Sequence, residues 1–186
     1  MHLKKPETLM IPLLLLTLLL QGCQCAGQEE NPARPTPLQE QAEDRIQAQR
    51  DFLEKERASI ESYIEDRKLE VKRSGTGLFY KVSRDSSAEL QVESGDDVVF
   101  DYSIYLLNGN LLYTSEPGKP RSLKIDREDA EIGLHESLKL LGLGDEGLFI
   151  LPSHLAFGVA GDQSKVPPKT ALVYELKVLK ITKSKS

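Results

Sequence analysis

The side chains that most often carry out chemistry are few in this 186-residue chain and poorly placed for it. Its two cysteines, Cys23 and Cys25, stand together at the end of a hydrophobic run, so they predict neither a disulfide framework nor a thiolate metal site in a folded domain. His135 and His154 alone do not make a metal set, and no G-x-S-x-G nucleophile motif is present. We therefore expect no metal, no other cofactor and no nucleophilic catalysis.

The glycine-rich segments do not predict a nucleotide site. Residues 142–147 match G-x-G-x-x-G, but they follow a predicted helix and lead into a strand, which is the reverse of the dinucleotide-binding order. Residues 158–165 contain glycine and lysine without the spacing of a P-loop. The net charge of −5 argues against a nucleic-acid partner.

What remains is an apolar and aromatic stretch in the second half of the chain. Residues 151–158 read L-P-S-H-L-A-F-G, a loop then ends in V-P-P at 166–168, and a strand is predicted over 171–181. Further strands are predicted near 78–82, 98–107, 110–114, 122–125 and 147–151, with a short one near 90–92. Asn108-Gly109 is a strong hairpin signal.

One short helix is predicted over 132–141, with apolar residues at 134, 138 and 141, and Gly142 and Gly144 end it. The expected fold class is therefore α+β, an antiparallel β-sheet wrapped around one short helix and preceded by a long N-terminal helix. The domain is expected to cover residues 69–186.

The long helix is predicted over 38–68, where glycine and proline are absent and Glu, Gln, Arg, Lys and Ala dominate. Ile46, Leu53 and Ile60 recur every seven residues, but the positions between them are polar. Two interpretations stay open: the helix packs one stripe on the following domain, or it joins two copies of the chain as a homodimer.

The first 22 residues have the pattern of a secretory signal peptide, a charged start followed by an apolar run. That run is shorter than the roughly 20 residues that span a bilayer. It ends in L-Q-G-C, which resembles the lipobox of bacterial lipoproteins, so Cys23 is the expected lipidation site. Residues 23–37 are rich in proline and predict a flexible tether behind the anchor. Gln24 favours the outer membrane over the inner one, and the expected location is the bacterial cell envelope.

The stretch over 95–181 resembles the FKBP-type peptidyl-prolyl cis-trans isomerases. The resemblance rests on the strand tyrosine, the glycine hairpin, the L-A-F-G and V-P-P segments and the closing strand. The resemblance implies that the catalytic residues are Tyr102, Phe157 and Tyr174. It also implies that the substrate-binding residues are Leu112, Tyr113, Ile132, Leu134 and Val166.

Three of the departures from the family pattern bear on activity. Tyr113 stands where the family has an aspartate that polarises the pocket, Phe157 replaces a tyrosine that donates to substrate, and Leu134 replaces the tryptophan floor. Ile132 lies near the isoleucine whose backbone N–H holds the ligand carbonyl, but its spacing to Gly133 is one residue short. We therefore expect weak isomerase activity.

The resemblance implies chemistry that needs no reactive side chain. Rotation of a peptide bond meets a barrier of about 18–20 kcal/mol, because it breaks amide resonance. A dry apolar cup that binds the twisted amide better than the planar one lowers this barrier. The expected clients are exported or surface proteins with Xaa-Pro bonds. The alternative is a non-catalytic peptide-binding chaperone or scaffold module of a cell-envelope assembly.

Within the family, the chain is most similar to the gliding-motility-associated lipoprotein isomerases of Bacteroidota. This narrower resemblance rests on the lipobox, the acidic helix that ends in Tyr63-Ile64, and the G-T-G-L segment at 75–78.

Overall fold

The computed structural model describes residues 36–84 and 90–184. The predicted signal peptide, Cys23 and nearly all of the tether lie outside the described residues. The chain divides into two units after residue 42, and all the described strands lie in the second unit. The elements are α1 (Pro37–Asp66), β1 (Lys72–Arg73), β2 (Phe79–Ser83), β3 (Asp97–Leu106), β4 (Leu111–Thr114), β5 (Arg121–Lys124), α2 (Ile132–Lys139), β6 (Glu146–Leu151), a 3₁₀ turn (Ser153–Leu155) and β7 (Leu172–Thr182).

The described strands form one antiparallel sheet in the order β1-β2-β6-β7-β3-β4, and β5 also pairs with β3. The sheet wraps around α2, whose apolar side lies in the main core through Leu134, Leu138 and Leu141. The predicted α+β fold, with one short helix inside the sheet and a long helix before it, is confirmed. The strand expected near 90–92 is reduced to a single bridge between Gln91 and Gly142, because the chain there crosses only the turn that follows α2.

The register of β3 against β7 decides which side chains face which layer. Ile104 pairs with Tyr174 and Tyr105 pairs with Val173. Because side chains alternate along a strand, Ile104 and Tyr174 point into the main core around α2, whereas Tyr105 and Val173 point to the opposite face. The start of β7 is therefore buried on both faces.

The opposite face of the sheet is covered by the second half of α1. Ile60 is 1% exposed and packs with Ile150, Ala171 and Val173. Glu56 Oε1 accepts a hydrogen bond from the Ser153 N–H at 2.8 Å, which ties the helix to the segment after β6. No helix of the described residues is both long and apolar enough to cross a membrane.

The heptad stripe of α1 is split between two environments. Ile60 is docked on the sheet, but Ile46 and Leu53 are 53% and 45% exposed. The interpretation that α1 packs a stripe on the domain therefore holds at Ile60. The described contacts do not assign a partner to Ile46 and Leu53, so the homodimer interpretation stays open.

We predict that Ile60→Ala lowers the free energy of unfolding by about 2 to 5 kcal/mol, because it leaves a cavity between α1 and the sheet. Ile46→Ala is the matched control on the same helix, and it should change this free energy by about 0.5 kcal/mol or less. Urea unfolding followed by circular dichroism measures both. Equal midpoints for the two variants would mean that α1 does not dock through Ile60.

Candidate functional site

Seven of the eight residues that the family resemblance selects lie in or against the main core cluster. Three of them are almost fully buried, and the rest are partly buried at its edge. The seven are Tyr102, Leu112, Tyr113, Leu134, Phe157, Val166 and Tyr174. Residues far apart in the chain thus share one apolar and aromatic region, although their individual roles remain predictions.

The base of this region comes from β3, β7 and α2. Tyr102 and Tyr174 lie on the same face of neighbouring strands, since Tyr102 pairs with Leu176 and Ile104 pairs with Tyr174. The Tyr102 ring lies 6.2 Å from the Phe100 ring, centroid to centroid, in a tilted arrangement. Leu134, on the inward side of α2, is 1% exposed. The tertiary structure therefore makes a packed aromatic and aliphatic floor.

The edge of the region comes from β4 and from the long connection between β6 and β7. Leu112 and Tyr113 are partly buried on β4, and Phe157 is partly buried just before Gly158. Val166 is 3% exposed, directly before Pro167-Pro168. Gly158 has φ +62°, a left-handed conformation that suits glycine, and its N–H donates to the Ser153 carbonyl at 2.8 Å. This turn directs the chain from Phe157 into the loop that carries Val166.

Ile132 is the one selected residue whose side chain stays out of the cluster, because it is 67% exposed at the start of α2. Its predicted role rests on its backbone N–H. At the first position of a helix this N–H has no intrahelical acceptor, so it is free by geometry to donate outward. That role remains a prediction.

Sequence reasoning missed Glu131, which sits directly before α2. The Tyr174 hydroxyl donates to Glu131 Oε1 at 3.4 Å, and Oε2 is buried without a hydrogen-bond partner among the described residues. Burial raises the pKa of Tyr174, the Glu131 carboxylate raises it further, and the Arg121 guanidinium partly opposes them. The sequence signal that could have indicated a polar partner was Tyr174 itself, since a buried tyrosine hydroxyl usually has a hydrogen-bond partner.

Sequence reasoning also missed Asp162. Tyr113 stands where the family has its aspartate, but the Tyr113 hydroxyl donates a hydrogen bond to the Asp162 carboxylate. A carboxylate therefore does lie at this edge, supplied by the loop. The local signal was the D-x-S pattern at 162–164, which is typical of an Asx turn: Asp162 Oδ1 accepts the Ser164 N–H at 2.9 Å.

The histidines have structural partners. His135 Nδ1 accepts the Asp126 N–H at 3.1 Å, and its Nε2 lies 3.2 Å from the Glu128 carbonyl. His154 Nε2 lies 3.2 Å from the Thr76 carbonyl. Residues 36–84 and 90–184 contain no group of three or more His, Cys, Asp or Glu side chains arranged to hold a metal ion.

A groove of about 620 Å³ lies among β2, β3, β4, β6 and β7, and it shares Tyr102 with the seven-residue cluster. Its lining carries charged side chains that include Lys81, Asp101, Glu146, Glu175 and Lys177. A site that favours a twisted amide must exclude water and charge, so we place the candidate site at the seven-residue cluster rather than in this groove.

Comparison with known proteins identifies the domain. The family model for FKBP-type peptidyl-prolyl cis-trans isomerases matches residues 88–179. A probable FKBP-type isomerase named FkpA from Neisseria meningitidis serogroup B is 30% identical over 112 residues, which is 60% of this chain and 40% of that protein. A probable FKBP-type isomerase from Haemophilus influenzae is 28% identical over 113 residues, 60% of this chain and 46% of the relative.

The fold agrees with these matches. The crystal structure of FkpA from Escherichia coli superposes with a TM-score of 0.60 at 26% identity, covering 80% of this chain and 74% of that one. The chain matches less than half the length of the two bacterial relatives named above. Through residues 88–179, the chain is similar to the FKBP-type peptidyl-prolyl cis-trans isomerase family.

Proposed function

We propose that this protein is a peptidyl-prolyl cis-trans isomerase that assists the folding of exported proteins and binds proline-containing segments in the seven-residue cluster. The observation that carries the proposal is the gathering of Tyr102, Leu134, Val166 and Tyr174 into one buried region from four separate segments. Such a region can hold a proline ring and shield the preceding amide from water. The twisted amide is less polar than the planar one, so this environment favours rotation.

The proposed activity is weak. Leu134 and Phe157 lack the indole and the hydroxyl that the family pattern supplies, and Tyr113 replaces its aspartate. Each missing hydrogen bond to the transition state costs about 1 kcal/mol, which is roughly fivefold in rate. Together the departures would lower the catalytic efficiency by one to a few powers of ten, roughly, relative to a member with the full pattern.

We expect the chain to accelerate cis-trans exchange of a Leu-Pro or Phe-Pro peptide, measured by NMR exchange spectroscopy. Val166→Ala and Tyr102→Leu should each lower kcat/KM by about tenfold, because each removes part of the wall around the proline. The control is Leu179→Ala, a β7 position that is 40% exposed and lies in neither core cluster. It should leave the rate unchanged.

A folded chain that does not accelerate exchange would exclude the isomerase proposal. The second candidate function is then a non-catalytic peptide-binding chaperone or scaffold module of the cell envelope. The hydrogen bond between Tyr174 and Glu131 supports that candidate, because it commits the Tyr174 hydroxyl to the protein rather than to a twisted amide. Suppression of aggregation of a proline-free client, without faster exchange, would favour it. An efficiency equal to that of a full-pattern family member would contradict the proposed weakness.

We further propose that the protein is a lipoprotein of the bacterial cell envelope, with the outer membrane favoured over the inner one. The support is the apolar run followed by L-Q-G-C, with Cys23 at the lipid position, and Gln24 behind it. Residues 23–37 would then form a tether between the membrane and the helix. The acidic helix and the G-T-G-L segment at 75–78 support placement among the gliding-motility-associated isomerases of Bacteroidota.

Cells that express the full chain should incorporate labelled palmitate into it, and Cys23→Ser should abolish the label and release the protein from the membrane fraction. Two or more acyl chains hold a protein firmly, since each buried methylene contributes about 0.8 kcal/mol. Cys25→Ser is the matched control and should keep both the label and the membrane location. Labelling that persists in Cys23→Ser would overturn this anchor.

The homodimer through α1 is a separate proposal, supported by the exposed part of the heptad stripe. If two copies pair there, the wild-type chain should sediment as a dimer and Ile46→Glu/Leu53→Glu as a monomer. The substituted chain should keep the wild-type circular dichroism spectrum, because both side chains are exposed within one chain. A wild-type monomer at micromolar concentration would exclude the dimer.

A further inference from the structure

β4 and the loop over residues 158–168 come from distant parts of the chain but meet at one edge of the candidate site. The Tyr113 hydroxyl on β4 donates to Asp162 Oδ2 in the loop. Lys165 Nζ donates to the Leu112 carbonyl at 2.9 Å and lies 4.8 Å from the centre of the Tyr113 ring. Three contacts therefore join the loop to the strand. We call Tyr113, Asp162 and Lys165 the latch.

The second oxygen of Asp162 organises the loop itself. Oδ1 accepts the Ser164 N–H at 2.9 Å and the Val166 N–H at 2.7 Å. The Asp162 N–H donates back to the Val166 carbonyl at 3.3 Å. One carboxylate thus holds the backbone of Val166 with one oxygen and the side chain of Tyr113 with the other.

The loop backbone adopts a conformation that is unfavourable without the hydrogen bonds to Asp162. Gly161 has φ +66°, and a Cβ added there would lie 2.2 Å from the Val166 carbonyl oxygen. Gln163 also has a positive φ, 58°, which is unfavourable for an L-residue because its Cβ crowds the backbone. The bonds to Asp162 offset this strain and keep Val166 turned into the core.

The latch depends on a charged group. The hydrogen bond from Tyr113 lowers the pKa of Asp162, partial burial opposes this, and the N–H groups of Ser164 and Val166 lower it further. Asp162 is therefore ionised at neutral pH. Hydrogen bonds to an ionised acceptor are roughly twice as strong as neutral ones. The nearby cation Lys165 adds to the attraction between the loop and β4.

We propose that Asp162 is a positioning residue of the proline pocket. It holds Val166 against the floor and Tyr113 against the loop, so the pocket has one shape before a peptide enters. A preformed site binds its ligand more tightly because fewer loop and side-chain conformations are lost on binding. This inference rests on the proposed function, and it adds a polar residue to a site otherwise made of aromatic and aliphatic side chains.

The experiment titrates the full chain, in mild detergent, with a Leu-Pro tetrapeptide and follows it by NMR, which gives the peptide Kd and the exchange rate from one sample. Asp162→Asn keeps an acceptor for the two backbone N–H groups but removes the charge. We expect it to weaken binding and to lower kcat/KM by about tenfold. Asp162→Ala should weaken binding and lower kcat/KM further, because it also removes the acceptor for the Ser164 and Val166 N–H groups.

Tyr113→Phe should match Asp162→Asn, and the double variant should be no worse than either single one, because both remove the same bond. The control is Asp51→Asn, an exposed carboxylate on α1 that accepts from Gln47 at 2.7 Å. It should behave as wild type. If Asp162→Asn does not fold, Tyr113→Phe decides the question, since it leaves the carboxylate and its loop brace in place.

The outcomes separate this inference from the proposed function. A wild-type chain that binds peptide without faster exchange is no isomerase, and the positioning role is then judged from the Kd values alone. Folded Asp162→Asn and Tyr113→Phe variants with wild-type Kd and kcat/KM would overturn the positioning role and leave the isomerase function standing. A wild-type chain that neither binds nor accelerates overturns both.

Discussion

The pairing of β3 with β7 is the constraint on which the rest of the domain depends. Its register puts Tyr174 beside Ile104 on the inner face and Val173 beside Tyr105 on the outer one. A slip of one residue would exchange the two faces, so that the candidate pocket and the surface for α1 would both be lost. The two buried layers therefore stabilise each other through the same backbone hydrogen bonds.

The candidate pocket is an apolar wall whose polar groups are held from outside. The hydroxyls of Tyr113 and Tyr174 each donate to a carboxylate, Asp162 and Glu131 respectively. Burying a hydroxyl without a hydrogen-bond partner in such a wall would cost free energy, and the hydroxyl would tend to bind water or the ligand instead. Because these two hydroxyls are paired, the wall can exclude water at Tyr113 and Tyr174. The buried Glu131 Oε2 is the exception within the described residues.

This arrangement suits a reaction that breaks no bond. Rotation about an Xaa-Pro amide needs neither nucleophile nor metal, only a surface that favours the twisted form. In the proposed function, the latch and the aromatic floor would act on the shape of the pocket, whereas the departures at Leu134 and Phe157 would act on contacts with the substrate. The domain can therefore keep a well-formed pocket and still be a slow catalyst. The second half of α1 packs on the other face of the sheet, through Ile60.

Local sequence determined the elements and the resemblance to the family. The Asn108-Gly109 turn, the apolar triplet at 134, 138 and 141 and the closing strand depend on short-range preferences, so their positions were predictable to within a few residues. The spacing of the site residues was predictable for the same reason, but their roles are not settled by it. Tertiary structure alone decided the pairing of Tyr113 with Asp162, 49 residues away, and of Tyr174 with Glu131, 43 residues away. It also decided that Ile60 docks while Ile46, on the same heptad stripe, stays exposed. These outcomes depend on how distant segments pack, and spacing along a chain carries no information about which distant partner will be within reach.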